Sequence, residues 1–159
     1  MKAKGRNTAR VKEFLRTIRE EQNELENLEE QLDKLRLSFL PKAITYDKDR
    51  VQTPASDPMA DKMAEVLEIE QEIRSHLQIL NDHRAQAMRI IRKIRRPAER
   101  TLLELYYIGQ GGKPLTWEDV AKRMNYSIQA IYDIHGKALL SFEKLYHTAK
   151  KRATKKDSY

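Results

Sequence analysis

The side chains with the most specific chemistry in this chain lie between Ser127 and Asp133. Gln129 carries an amide that donates and accepts side by side, the pairing that fits the major-groove edge of adenine. Ile128 offers an apolar surface for a thymine methyl. Tyr132 has a hydroxyl for a phosphate and a ring that can lie along a sugar. Ser127, Ile128, Gln129, Tyr132 and Asp133 form the outward set once Ile131 and Ile134 are assigned to a buried face. Lysine and arginine supply the complementary chemistry, neutralising phosphates. Arg92, Lys93, Arg95, Arg96 and Arg100 precede this stretch, while Lys122, Arg123 and Lys137 surround it. These eight are the expected phosphate contacts. Arg89, Lys113 and a tail of Lys150, Lys151, Arg152, Lys155 and Lys156 extend the basic character of the C-terminal half.

Other chemistries find no support. The chain has no cysteine, so disulfides and thiolate metal sites are excluded. His76, His83, His135 and His147 are scattered and include no pair backed by a third ligand. The run GQGGKP at 109–114 lacks the spacing and the following Ser or Thr of a phosphate-binding loop. No catalytic residue, metal or cofactor is expected, and the chain does not read as an enzyme. Gly136 stands inside a helical pattern, where glycine costs about 1 kcal/mol against alanine. A glycine there permits close approach of a neighbouring helix or of DNA, and tight packing against a helix is the preferred expectation.

The elements that must position these residues are all helical. In 159 residues, 35% are charged and 7% aromatic, too little for a large globular core but sufficient for helices with narrow apolar seams. Val11, Ile18, Leu25, Leu32 and Phe39 recur every seven residues, with Phe14, Leu28 and Leu35 in the complementary slots. Pro41 ends that helix, and residues 41–57 read as a connector. Asp57 and Pro58 suit the start of a second helix, as N-cap and first residue. Met59, Val66, Ile73, Leu80, Ala87 and Ile94 then repeat by sevens, with Met63, Leu77 and Ile91 in the second seam.

Placing Phe39 beside Met59 brings Leu32 near Val66, Leu25 near Ile73 and Ile18 near Leu80, an antiparallel, coiled-coil-like hairpin. Glu21, Glu70 and Arg84 interrupt the seams; they are expected to tilt outward at their edge, the alternative being that they pair in the seam and help fix its register. So narrow a core needs cover from the C-terminal part or from a second subunit, and self-association through the hairpin is expected.

Arg96-Pro97 ends or kinks the second helix, and Ala98–Ile108 is expected to carry Leu102, Leu103, Leu105 and Tyr106 on one face. Thr116 caps a short helix, Trp117–Met124, with Trp117, Val120, Ala121 and Met124 inward. Asn125-Tyr126 makes a tight turn. Ser127 caps a last helix buried along Ile131, Ile134, Ala138, Leu139, Phe142 and Leu145. A short helix, a tight turn and a longer amphipathic helix form a helix-turn-helix. The expected organisation is a hairpin arm over 1–96, a helix-turn-helix module over 97–149 and a basic tail over 150–159.

Residues 115–145 resemble the C-terminal helix-turn-helix of bacterial sigma factors, region 4, through Leu115, Thr116, Asp119, Val120, Ala121, Ser127, Ile131, Ala138 and Leu139. The other sigma regions have no counterpart. Arginines often found at the start of the sigma recognition helix are missing here. The wider layout, with KAITYDKDRVQT at 42–53, TWEDVA and IHGKAL, is similar to the ArpU/RinA-like late-gene regulators of phages and prophages. That resemblance implies activation of late or packaging operons through promoter-region DNA, with RNA polymerase as a candidate second partner.

Net charge of +7 agrees with an anionic partner. No stretch approaches the roughly 18 apolar residues of a membrane span, and MKAKGRNTAR lacks an apolar signal core. No membrane partner is expected, and the bacterial host cytoplasm is the expected location. Double-stranded DNA is the expected partner. Two other readings fit the same pattern: a small terminase-like DNA-recognition subunit, and a coiled-coil adaptor that binds no DNA.

Overall fold

Two long helices open the chain because each carries a heptad seam, broken only at Glu21 in the first and at Glu70 and Arg84 in the second. The computed structural model describes residues 4–40, 57–111 and 113–156. The expected connector up to residue 56, including the motif at 42–53, lies outside the described residues. Those described form helices joined by turns and contain no strand. Helix α1 spans Lys4–Leu37 and α2 spans Pro58–Ile91. Asp57 accepts the Met59 amide hydrogen at 3.1 Å, and Pro58 occupies a position that has no donor to satisfy. α2 closes through tightened bonds from the amides of Lys93 and Ile94, and α3 (Pro97–Leu103) starts on its proline.

α3 runs directly into a π-helical turn over Glu104–Ile108, closed by the Gly109 amide donating to the Glu104 carbonyl at 2.8 Å. Such a turn adds a residue to the helical cycle and rotates the side chains beyond it. Tyr107 is thereby fully buried and Tyr106 only half-buried, whereas the sequence pattern placed Tyr106 inside. The carbonyls around this turn are met by arginines from the long helices. Arg19 donates to the carbonyls of Tyr106 (2.6 Å) and Leu115 (2.9 Å) and lies over the Tyr106 ring. Arg84 donates to the Ile108 carbonyl (3.0 Å) and to Gln22 (2.6 Å). Helices α4 (Trp117–Met124) and α5 (Ile128–Lys156) complete the chain.

The chain divides into two compact units, Met1–Gln22 with Leu80–Tyr159, and Asn23–Ile79. The expected boundary at residue 96 falls inside the first. In that unit the starting turns of α1 and the end of α2 share one core with α3 to α5. Val11, Leu15, Ile18, Leu80, Ala87, Ile91, Leu102, Leu103, Val120, Ile131, Ala138 and Phe142 are all buried. Phe14 joins the helices through ring contacts with His83 (5.9 Å), Phe142 (6.4 Å) and Tyr146 (5.8 Å). Here the C-terminal part supplies the cover that the narrow heptad core requires.

The second unit is poorer in core. Leu25, Leu28, Leu32 and Val66 are buried, but Leu37, Leu40, Met59, Met63, Leu67, Leu77 and Ile79 are exposed. Met63 and Leu77, expected in a buried seam, lie on the surface. Arg36 pairs with Glu70 at 2.9 Å and Lys62 lies over the Phe39 ring.

The contacts also correct the register. The alignment of Phe39 with Met59 would put Arg36 opposite Lys62 and Gln22 opposite His76. Within the second unit Arg36 meets Glu70; within the first, Gln22 meets Arg84 and Glu21 meets His83 at 3.0 Å. The displacement is about one heptad. A heptad seam slid by seven residues still matches apolar to apolar, so only the polar partners fix the choice. Glu21, Glu70 and Arg84 do not simply tilt outward: each has its own partner. Arg84 is only partly exposed, and burial holds its guanidinium pKa below the usual value.

Candidate nucleic-acid interface

The candidate surface is built by α4 and α5 and the turn between them. Thr116 sets the start of α4: its Oγ1 accepts the Asp119 amide hydrogen at 3.3 Å and its hydroxyl donates to the Asp119 carboxylate at 2.9 Å. α4 ends at Asn125, which stands in the left-handed region at φ 60°, ψ 43°. The Tyr126 amide returns to the Ala121 carbonyl at 3.0 Å. Ser127 then accepts the Ala130 amide hydrogen at 3.2 Å and opens α5. Val120 and Ala121 of α4 are buried, as are Ile131, Ala138, Leu139 and Phe142 of α5. Trp117, Met124, Ile134 and Leu145 are half-buried, less than the sequence pattern implied.

With that face turned inward, Gln129, Tyr132, Asp133, Gly136, Lys137 and Leu140 are exposed. Their spacing follows a single face of the helix. Three of the expected base-reading residues, Gln129, Tyr132 and Asp133, thus stand on one open stripe. Ile128 is half-buried, and the Ser127 hydroxyl is engaged in the cap.

Tyr132 is oriented from below. Its ring meets Trp117 edge-on at 5.5 Å, and Trp117 in turn stacks on Tyr106 at 3.7 Å. His135 lies edge-on to Trp117 at 4.8 Å, and its Nε2 is hydrogen-bonded to the Tyr107 hydroxyl at 2.8 Å. Burial, and secondarily the charge of Lys12, lowers the His135 pKa to about 4. Burial likewise raises that of Tyr107. Both are therefore neutral near pH 7 and serve as packing under the stripe.

Gly136 corrects an expectation. A methyl group added there would meet nothing within 4 Å. The glycine is not accommodating a neighbouring helix. It leaves a gap in the exposed stripe, between Asp133 and Lys137 on one side and Leu140 on the other. Sequence reasoning weighed close approach to DNA at this residue but preferred helix packing, and Leu140 was missed.

The expected phosphate contacts do not form one cluster. Arg96 and Lys137 line one shallow concavity of about 310 Å³, together with Tyr126, Ala130 and Asp133, which places them at the flank of the stripe. Arg96 also lies 3.8 Å from the buried Glu99, which accepts the Ser141 hydroxyl at 2.7 Å. Lys122 and Arg123 are exposed at the end of α4, and Arg92 and Arg95 are exposed near the end of α2. Arg100 is committed elsewhere, donating to the Ile94 carbonyl at 2.6 Å to close α2. Lys93 lines a different groove with Tyr146 and Lys150. Tyr146 lies 17 residues beyond Gln129 along α5, about 25 Å at 1.5 Å per residue.

Charge is divided between the units. Residues 1–22 and 80–159 carry 24 Lys and Arg against 11 Asp and Glu, whereas residues 23–79 carry 7 against 13. The stripe belongs to the basic unit.

No family model, curated protein or solved structure matches the chain. The functional reading therefore rests on the site. No described helix is long and apolar enough to cross a membrane.

Proposed function

We propose that this chain is a sequence-specific DNA-binding transcription regulator whose helix-turn-helix, α4 and α5, enters the major groove. One observation carries the reading. Gln129, Tyr132 and Asp133 share an open stripe at the start of α5, with Arg96 and Lys137 at its flank, in a unit rich in positive charge. A helix presenting amide and aromatic groups to base edges, with cations beside it for phosphates, is the arrangement groove recognition requires. The gap at Gly136 favours close approach of a nucleic-acid backbone. The resemblance to sigma region 4 and to the ArpU/RinA-like regulators adds phage or prophage late-gene activation as the biological setting, in the bacterial cytoplasm. RNA polymerase is then a second candidate partner.

The long helices act as a helical hairpin arm that brings two or more copies together. The apolar residues exposed on the second unit support this, because a two-helix unit so exposed gains from burying them against another copy. The same layout suits a small terminase-like subunit, which separates from a regulator by binding packaging DNA as a ring.

The test is enrichment of host and phage genomic fragments by purified protein at moderate salt, followed by Gln129→Ala. Enrichment of one region upstream of late or packaging genes, and a weaker preference for it in the variant, is expected. Equal losses on that region and on random DNA would remove Gln129 from base reading. Uniform capture of all fragments would overturn sequence specificity itself.

A further inference from the structure

A second groove lies on the basic unit, at the far end of α5 from the stripe. It has a volume of about 300 Å³ and runs between the last turns of α2 and the second half of α5. Its floor is apolar: Ile90 is buried, Tyr146 is half-buried, and Ala149 leaves room above them. Its rim is cationic, with Arg89 and Lys93 on one wall and Lys150 on the other. All three are exposed, and none forms an ion pair with a described residue.

An occupant must satisfy both features. A nucleic-acid backbone would use the cations but has nothing to set into an apolar floor. A bilayer surface needs apolar groups that project, and these are recessed. A helix with an apolar stripe and carboxylates along its flanks uses both, since it lays its apolar side chains into a groove at i, i+3/i+4, i+7 spacing. Its carboxylates then meet the rim charges, which contribute selectivity and association rate.

We propose that the groove formed by Arg89, Ile90, Lys93, Tyr146, Ala149 and Lys150 is the docking site for an acidic amphipathic helix of a partner protein. On α5 its lining begins at Tyr146, beyond Leu140, the last residue of the stripe. The docking site itself does not depend on DNA binding.

The probe is a fluorescently labelled synthetic peptide of about four helical turns. It has leucines at i, i+4, i+7 and i+11 and glutamates on both flanks. A control of the same composition has its leucines dispersed. Anisotropy with the full chain, without DNA, is expected to show the striped peptide binding roughly tenfold more tightly than the control. Ala149→Trp fills the groove, and the pair Lys93→Glu with Lys150→Glu reverses the rim. Each is expected to weaken the striped peptide by a similar factor while unfolding at the same temperature as the parent. All three positions are exposed, so folding is preserved. Equal affinity for both peptides, or unchanged binding in both variants, overturns the proposal. So does displacement of the striped peptide by a short random-sequence duplex, which would make the groove part of a nucleic-acid surface. Loss of genomic enrichment with peptide binding intact would sink the DNA reading alone.

Discussion

At the scale of single residues, the informative positions are those that break a local rule. Gly136 is a poor helix residue with open space around its Cα. Gly136→Ala is expected to stabilise the free protein by about 1 kcal/mol, the helix-propensity difference, read as a higher denaturant midpoint. The same methyl group should weaken DNA binding if the backbone closes over the gap; unchanged affinity would leave the glycine without a role there. His135 breaks a different rule, being a buried imidazole. Its pKa is lowered to about 4 in the folded chain, against about 6.5 when unfolded. Below pH 6.5 the unfolded chain therefore takes up a proton that the folded chain refuses. The contribution of this group falls as pH drops from about 6.5 towards 4, and is complete above that window. NMR of the ring at pH 5.5 should show it neutral, and titration near 6.5 would contradict the burial described.

Among the elements, the tight turn between α4 and α5 depends on Asn125 holding a left-handed backbone. Asn125→Val places a β-branched residue there and is expected to cost about 1–2 kcal/mol, whereas Asn125→Gly should be nearly neutral. Equal effects in equilibrium unfolding would show that the turn relaxes. This turn and the caps at Thr116 and Ser127 were legible in the sequence, because each depends on one side chain and its immediate neighbours. Both long helices were legible for the same kind of reason, through their heptads. Their register was not, since a heptad pattern is degenerate to a seven-residue slide. Nor was the π turn, because ELYYI shows nothing that separates it from an α-helix until Arg19 and Arg84 arrive from distant segments. That turn decides which tyrosine is buried and hence what supports Trp117 and Tyr132. At the site, the stripe of Gln129, Tyr132 and Asp133 followed from helical period. The separation of Lys93 and Arg100 from the other cations did not, as it depends on how α2 and α3 meet α5.

For the whole molecule, the contrast between units matters most. The unit 23–79 leaves Met59, Met63, Leu67 and Leu77 exposed, and their spacing keeps them near one side of α2. If this is where copies join, Met63→Glu with Leu67→Glu should lower the mass seen by sedimentation to that of a single chain. DNA affinity per chain should then drop, because linked modules bind with the benefit of effective concentration. A variant that sediments like the parent would move the interface elsewhere.

The same partition of charge governs how the protein behaves in a tube. Molecules bearing a basic unit and an acidic unit attract one another in dilute buffer, basic unit to acidic unit, despite their net charge of +7. Debye screening, with a length of about 10 Å at 0.1 M salt, suppresses that attraction. Turbidity of a concentrated sample should therefore clear on adding salt, the salting-in of a bipolar colloid. The salt that clears it is the same salt that will loosen the protein from DNA.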